Sequence, residues 1–251
     1  MFNAERRQFI LERLTRNGRV VATELSRELG VSEDTIRRDL REMAADGLIQ
    51  RVHGGALLRS PATMNYTARQ QQASSAKQHI AQAAAGLVQH GQVIILDGGT
   101  TNVLVAQYLP ADLRATVITN SPPAAVALKD HTSVEVILIG GRLYQDSLVT
   151  IGAAAIETLR KIRADICMLG ICSLHPDIGI STQNLEETYV KQAMIESAAE
   201  VVALVSAEKL RTAASYVVAP LSELTCLVTE RDVSETLLVP YLERGITILK
   251  A

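Results

Sequence analysis

Cysteine is scarce: Cys167, Cys172 and Cys226 are the only three in 251 residues, and none sits in a metal-type pair spacing. An odd number of thiols, in a chain long enough to bury its own core, argues against a disulfide framework and for free thiols in a reducing compartment. Long apolar runs are missing too, since no stretch approaches the ~20 residues of a membrane span. The opening Met1–Gln8 carries Arg6 and Arg7 with no apolar segment behind them, so no export signal and no membrane partner is expected, and the protein is placed in the cytoplasm. Nor is there a surplus of positive charge. Lys and Arg number 25 against 27 Asp and Glu, a net charge of -2, which excludes a polycation that coats nucleic acid. Solenoid repeats and low-complexity tracts are absent, Gln70, Gln71 and Gln72 being too short to count. What is present, 47% hydrophobic and 21% charged residues, suits one large domain or a small module plus a larger core.

The charge is unevenly distributed. Residues 1–60 hold eleven Arg, no Lys and nine acids, net +2, whereas the rest has fourteen bases against eighteen acids, net -4. Between them PATMNYTARQQQASS, residues 61–75, is polar, opens on Pro61 and reads as a linker. The expected organisation is a basic module over 1–60, a linker over 61–75 and an α/β domain over 76–251.

In the basic module, Phe9, Ile10, Leu11 and Leu14 mark a helix from Ala4 to Thr15 that stops at Asn17-Gly18, and Val20-Val21 supplies a short strand. Thr23 is expected to cap a second helix ended by Gly30. Ser32 caps a third, with Glu33 and Asp34 in its first turn, where the helix dipole favours acids. Two helices meeting at a tight Gly30-Val31-Ser32 turn have helix-turn-helix spacing, whose second helix enters the major groove of DNA. Ile36, Leu40 and Met43 face the core and leave Thr35, Arg37, Arg38 and Arg41 on other faces. Guanidinium groups held in register neutralise phosphates and grip guanine edges. The same arginines also fit a solvated face, with Arg37 or Arg38 paired to Asp34 or Glu42 at helical spacing. Leu48–Val52 then reads as a strand turning at Gly54-Gly55 and returning through Ala56–Leu58, a wing with Arg51 and His53 near its tip.

The run VSEDTIRRDLREMAADGLIQRVHGGA, Val31–Ala56, resembles the signature of the DeoR family of bacterial transcription regulators. The resemblance implies a winged helix-turn-helix, mainly α with a β wing, that binds double-stranded operator DNA. The DNA-contacting residues expected are Ser32, Thr35, Arg37, Arg38 and Arg41 on the reading helix and Arg51, His53, Gly54 and Gly55 in the wing.

The remainder alternates helical stretches with continuous apolar runs, the pattern of a largely parallel sheet buried on both faces. A helix over Lys77–Val88 precedes the run Val93–Leu96, which ends in Asp97-Gly98-Gly99-Thr100-Thr101-Asn102. Glycines let amides converge, and the helix after them would aim its positive end at an anion; a tight strand-to-helix connection explains the stretch equally well. Val117–Thr119 runs into Asn120, Val134–Ile139 into Gly140 and Gly141, and Ile166–Leu169 into Gly170. Ligands of open α/β sheets bind beyond such carboxyl ends, so these residues are expected to line one crevice. A helix over Leu185–Ala199 carries Glu186, Glu187 and Lys191; Lys191 suits either a phosphate or an ion pair with Glu187. Lys209 lies just past the strand Val201–Val205, and Leu224–Val228 and Gly245–Leu249 are further strands around a helix over Val233–Leu242.

DGGTTN, TNS, LIGGR, NLEETYVKQAMI and VALVSAEKL extend the resemblance over Lys77–Leu249, to an effector domain similar to ribose-phosphate isomerases that binds phosphorylated sugars or related metabolites. The ligand-side residues expected are Asp97, Gly98, Gly99, Thr100, Thr101, Asn102, Asn120, Gly140, Gly141, Lys191 and Lys209. Ser206, Ser173 and Gly98 depart from the family's usual Asp, Gly and Ser. A repressor of carbohydrate or related metabolic genes is expected, without cofactor or metal, and at least a dimer (homodimer or homotetramer) because operators are commonly pseudo-palindromic. The competing readings are a sugar-phosphate isomerase using Asp97 and Glu186, and a thiol switch between Cys167 and Cys172.

Overall fold

Apolar spacing builds the first sixty residues. In the structure, a computed structural model that describes residues 2–60, 65–71 and 75–251, Ile10 and Leu14 are fully buried on helix α1 (Asn3–Asn17). Gly18 ends it in the left-handed region, at φ 75°, and its amide donates to Leu14 O at 2.7 Å. Thr23 is not the cap expected of it. Helix α2 (Ala22–Leu29) begins two residues earlier than such a cap allows, directly out of strand β1 (Arg19–Val21), and the Ala22 amide donates to Gly54 O at 2.8 Å. A backbone carbonyl from elsewhere in the module thus satisfies one of the helix's first-turn donors, and no side-chain cap is made. Ser32 does cap helix α3 (Glu33–Ala45), its Oγ accepting from the Thr35 amide at 3.2 Å. Ile36, Leu40 and Met43 pack with Ile10, Leu14 and Leu25 into one core.

Strands β2 (Ile49–Val52) and β3 (Gly55–Arg59) form the wing. Val52 pairs with Gly55, so the turn is His53-Gly54 rather than the expected Gly54-Gly55. Gly55 is a buried strand residue opposite Val21 of β1, and a Cβ there would stand 1.9 Å from Val20 O. Its lack of a side chain serves close packing, not a surface.

The segment read as a linker contains helix α4 (Tyr66–Gln71), anchored by the buried Tyr66; residues 61–64 and 72–74 of that segment lie outside the described residues. Helix α5 (Ser75–Ala85) follows, and then a seven-stranded sheet made of β4 (Val93–Leu96), β5 (Ala115–Thr119), β6 (Val134–Leu138), β9 (Ala164–Gly170), β12 (Ala198–Leu204), β15 (Cys226–Thr229) and β16 (Thr247–Lys250). The order is β16-β15-β12-β9-β4-β5-β6, every neighbouring pair parallel. Along its strands, Ile95, Cys167, Val201 and Ala203 point into one core while Ile94, Leu96, Ile166, Met168, Val202 and Leu204 point into the other. Two buried faces are the reason these runs read as continuously apolar.

The chain winds outward from β4 through β5 to β6, then crosses to β9 on the opposite side of β4 and winds outward again. The direction reverses between β4 and β9, so the helices that follow these two strands diverge and leave a crevice at their carboxyl ends. Helices α6 (Thr100–Tyr108) and α9 (Leu185–Glu196) border it, α7 (Pro122–Ala127), α8 (Ala153–Leu159) and α10 (Glu235–Leu242) complete the layers, and a hairpin of β7 (Arg142–Tyr144) and β8 (Val149–Ile151) lies between β6 and α8. Strands β10 (Ser173–His175), β11 (Gly179–Thr182) and β14 (Tyr216–Ala219) make a small antiparallel sheet, and β13 (Thr212–Ala213) pairs in parallel with β3 of the wing. Among the described residues no helix is long and apolar enough to cross a membrane.

Candidate functional site

On the basic module, α3 presents Arg37, Arg38 and Arg41 to solvent, and the wing exposes Arg51, His53 and Gly54. These cations differ in what they already touch. Arg37 donates to Glu33 at 2.7 Å and stands 3.6 Å from Asp34, whereas Arg38 and Arg41 pair with no described residue. The hydroxyls of Ser32 and Thr35 are 2.9 Å apart and satisfy each other at the start of the helix. Behind the exposed face, Arg6 of α1 grips Asp39 of α3 through Nε at 2.5 Å and Nη2 at 3.0 Å, Asp39 being wholly buried. This two-point bond fixes how α3 rolls against α1 and hence which side it turns outward. The Asp39 hydrogen bond holds the Arg6 pKa above its ordinary value even against burial. Sequence reasoning missed the pair, although a carboxylate sharing the Ile36, Leu40 and Met43 face was its signal.

The crevice at β4 and β9 holds a cavity of about 220 Å³. Gly98 to Asn102 form one wall, with Gly99 at φ 115° ahead of the first turn of α6; that turn's amides have no intrahelical acceptor, so they and the helix's positive end face the cavity. Val149 explains why residue 98 is glycine here, since a Cβ would lie 2.1 Å from its Cγ1. Asn102 donates to Gly98 O and Met168 O, both at 3.2 Å, while its buried Oδ1 has no partner. Asp97 sits behind the wall with both oxygens engaged: one accepts from the Gly98 amide at 2.7 Å, the other from the Gly170 amide at 2.9 Å and from Lys191 Nζ.

Lys191 and Lys209 both line the cavity but in different electrostatic states. Burial pushes Lys191 down, yet Asp97, then Glu187 at 3.7 Å, outweigh it and hold its pKa above the usual lysine value. Burial raises Glu187 in turn, with Lys191 opposing. Lys209 donates to the Ile171 carbonyl at 2.8 Å, has no carboxylate in an ion pair among the described residues, and burial lowers it to about 8. An ammonium held in a cavity without a counter-ion is where an added anion gains most. Arg59, Arg69 and Lys77 also reach this cavity, against Asp146, Glu187 and Glu208, so cations predominate.

Of the ligand-side residues expected, Gly98, Gly99, Thr100, Thr101, Asn102, Lys191 and Lys209 meet around this space, with Asp97 behind them. Asn120, Gly140 and Gly141 do not. Asn120 is buried and ties β5 to β8, donating to Thr150 O at 3.2 Å and accepting from the Thr150 amide at 2.7 Å. Gly141, at φ 149°, leaves a Cβ only 2.7 Å from Ile151 O, a backbone constraint in the approach to the β7–β8 hairpin; Gly140 is exposed. The isomerase pair is not brought together: Glu186 is outside the cavity in an ion pair with Arg142, while Asp97 lies behind the wall, bonded to the Gly98 and Gly170 amides and to Lys191. The thiol switch fares no better: Cys167 is fully buried, and burial pushes its thiol far up. Arg59, Arg69, Lys77 and Glu187 were missed as cavity residues because three of them lie in or beside the segments read as wing and linker.

Models of two domains match the chain, a DeoR-like helix-turn-helix domain over residues 6–62 and the DeoR C terminal sensor domain over residues 72–231. The chain belongs to the DeoR family. Relatives similar over nearly its whole length include the HTH-type transcriptional regulator GolR of Listeria innocua, 32% identical over 99% of this chain and 98% of its own. The HTH-type transcriptional repressor GlcR of Bacillus subtilis is 34% identical over 92% and 90%, and the glycerol-3-phosphate regulon repressor of Haemophilus influenzae 34% over 97% and 95%. Among solved structures the full-length sorbitol operon regulator SorC from Klebsiella pneumoniae aligns at TM-score 0.44 and 14% identity, over 93% of this chain and 98% of that one. A ribose 5-phosphate isomerase from Methanocaldococcus jannaschii aligns at TM-score 0.39 and 20% identity over 53% and 52%. This DeoR-family protein is a DNA-binding transcriptional regulator, with an N-terminal helix-turn-helix head and a C-terminal α/β sensor domain.

Proposed function

We propose that this protein is a cytoplasmic repressor of carbohydrate or related metabolic genes, and that a phosphorylated metabolite in the β4–β9 cavity sets its hold on the operator. The observation that carries the reading is the pairing of Lys209, a cation without a counter-ion, with the amino end of α6 across one cavity. A phosphate supplies the negative partner that Lys209 lacks among the described residues and accepts from the first-turn amides. Arg38, Arg41, Arg51 and His53 form the DNA-facing set, with Arg37 weakened by its two carboxylates. Because operators with two half-sites match a two-fold protein, the protein acts as at least a dimer, either a homodimer or a homotetramer. It acts as a regulator rather than an enzyme, a reading supported by Asp97 lying behind the wall in the service of Gly98, Gly170 and Lys191.

The experiment begins with selection of bound sequences from a random duplex library, which yields the operator. Dissociation from that operator is then followed while triose, pentose and hexose phosphates are added one at a time. At least one should change operator affinity about tenfold, equivalent to ~1.4 kcal/mol of differential binding, and Lys209→Met should remove that response. If no phosphorylated metabolite alters either operator affinity or melting temperature, the reading is wrong.

A further inference from the structure

Arg59 belongs to the wing, yet it lines the sensor cavity. Its position follows from an unusual sheet. Strand β3 pairs with β1 and β2 inside the head and, at its far end, in parallel with β13 of the sensor domain, Leu58 against Thr212 and Arg59 against Ala213. Beyond it, Ser60 is buried and donates to the Cys172 carbonyl at 2.5 Å, next to the Ile171 carbonyl that receives Lys209. Thr212 in turn donates through Oγ1 to Lys209 O at 2.8 Å. The last wing residue and Lys209 are therefore linked on two sides, through the β3–β13 pairing with the Thr212 hydroxyl and through the Ser60 hydroxyl on the Cys172 carbonyl.

The Arg59 side chain has no carboxylate partner among the described residues, and its Nε is buried without a hydrogen bond. One end of the guanidinium reaches the head: Nη1 lies 3.3 Å from where a Cβ on Gly47 would stand, at the turn that follows α3. A buried guanidinium nitrogen left without an acceptor is costly, and a planar fork of donors is the arrangement that takes two oxygens of one phosphate. We propose that Arg59 is an effector ligand, so that the anion is held jointly by the DNA-binding head and the sensor domain. The proposal rests on the reading of the cavity as an anion site and adds to it the identity of the moving part. An effector held this way favours the arrangement in which β3 stays paired on β13, and by linkage it biases the wing and the turn after α3.

The test uses the full chain and two anions, inorganic phosphate and glycerol 3-phosphate, with affinities from titration calorimetry. Arg59→Gln should weaken binding of the better anion about tenfold, and Arg59→Lys, which keeps the charge but not the fork, should recover only part of that loss. Hydrogen exchange at the β3 amides should slow on adding anion to the wild-type protein and stay unchanged in Arg59→Gln. Lys209→Met is the control that marks the site. If Lys209→Met loses binding while Arg59→Gln binds as tightly as wild type, Arg59 is no ligand and the cavity reading survives. If neither anion, nor any of the triose, pentose and hexose phosphates of the operator assay, binds wild-type protein, both fall together. Should Arg59→Gln melt early without ligand, Arg59→Lys decides alone, wild-type affinity in it overturning the proposal.

Discussion

Among the described residues, head and sensor each hold a buried bond between opposite charges, and the two do different work. Arg6–Asp39 joins α1 to α3, is closed from solvent and sets the angle between two helices. Asp97–Lys191 joins β4 to α9 at the edge of a cavity, with Gly170 O and Glu187 as additional partners for the lysine. A two-point pair locked between helices is rigid and brittle. A pair inside a network keeps other partners when one is lost, so Lys191 without Asp97 still has Glu187 and the Gly170 carbonyl. The same contrast separates the lysines of the cavity: Lys191 spends its charge on the protein, whereas Lys209 keeps its charge for what enters.

Breaking the head's pair should have the largest effect. Asp39→Ala leaves Arg6 buried and unmatched and should cost roughly 3–5 kcal/mol in urea unfolding, while Asp97→Asn, which leaves Lys191 with Glu187 and the Gly170 carbonyl, should cost distinctly less. Equal losses would erase the distinction between the pairs. Next comes the exposed face of α3: Arg38→Ala with Arg41→Ala should reduce the steepness of log affinity against log salt by about 2, roughly 0.9 for each phosphate no longer neutralised. Arg37→Ala, already engaged by Glu33 and Asp34, should move it less, and a larger change from Arg37 would reassign the surface. The smallest effect is a pH dependence. Lys209, at about 8, is charged below that value and neutral above it, so anion affinity should be level at pH 7 and decline above pH 8, by at most about tenfold per unit. Calorimetry at pH 7, 8 and 9 measures this, and Lys209→Arg, which stays charged, should flatten the curve.

Much of the fold was legible because it depends on local pattern. Val93–Leu96 and Ile166–Leu169 read as strands since both faces of that sheet are covered, and the glycine-threonine corner after Asp97 reads as a crevice wall because it follows the strand where the order reverses. Partners far apart in the chain were not legible. Helical spacing ties Lys191 to Glu187, but the dominant partner, Asp97, is 94 positions away. Asp39 sits in the middle of the most recognisable motif and answers to Arg6 in another helix. Asn120 and Gly141 have the composition of ligand-side residues and a backbone role, a difference that only packing against Thr150 and Ile151 reveals. Helix α4 hides in polar sequence because one buried tyrosine anchors it.

The pairing of β3 with β13 bears on how the head can be studied. A fragment cut after Ser60 retains the three strands of its own sheet but strips Leu58 and Arg59 of their neighbour, leaving an open hydrogen-bonding edge of the kind through which isolated fragments stick to one another. Operator affinities obtained on such a fragment would describe a wing released from its moorings, a condition the intact regulator reaches only by parting from its own sensor.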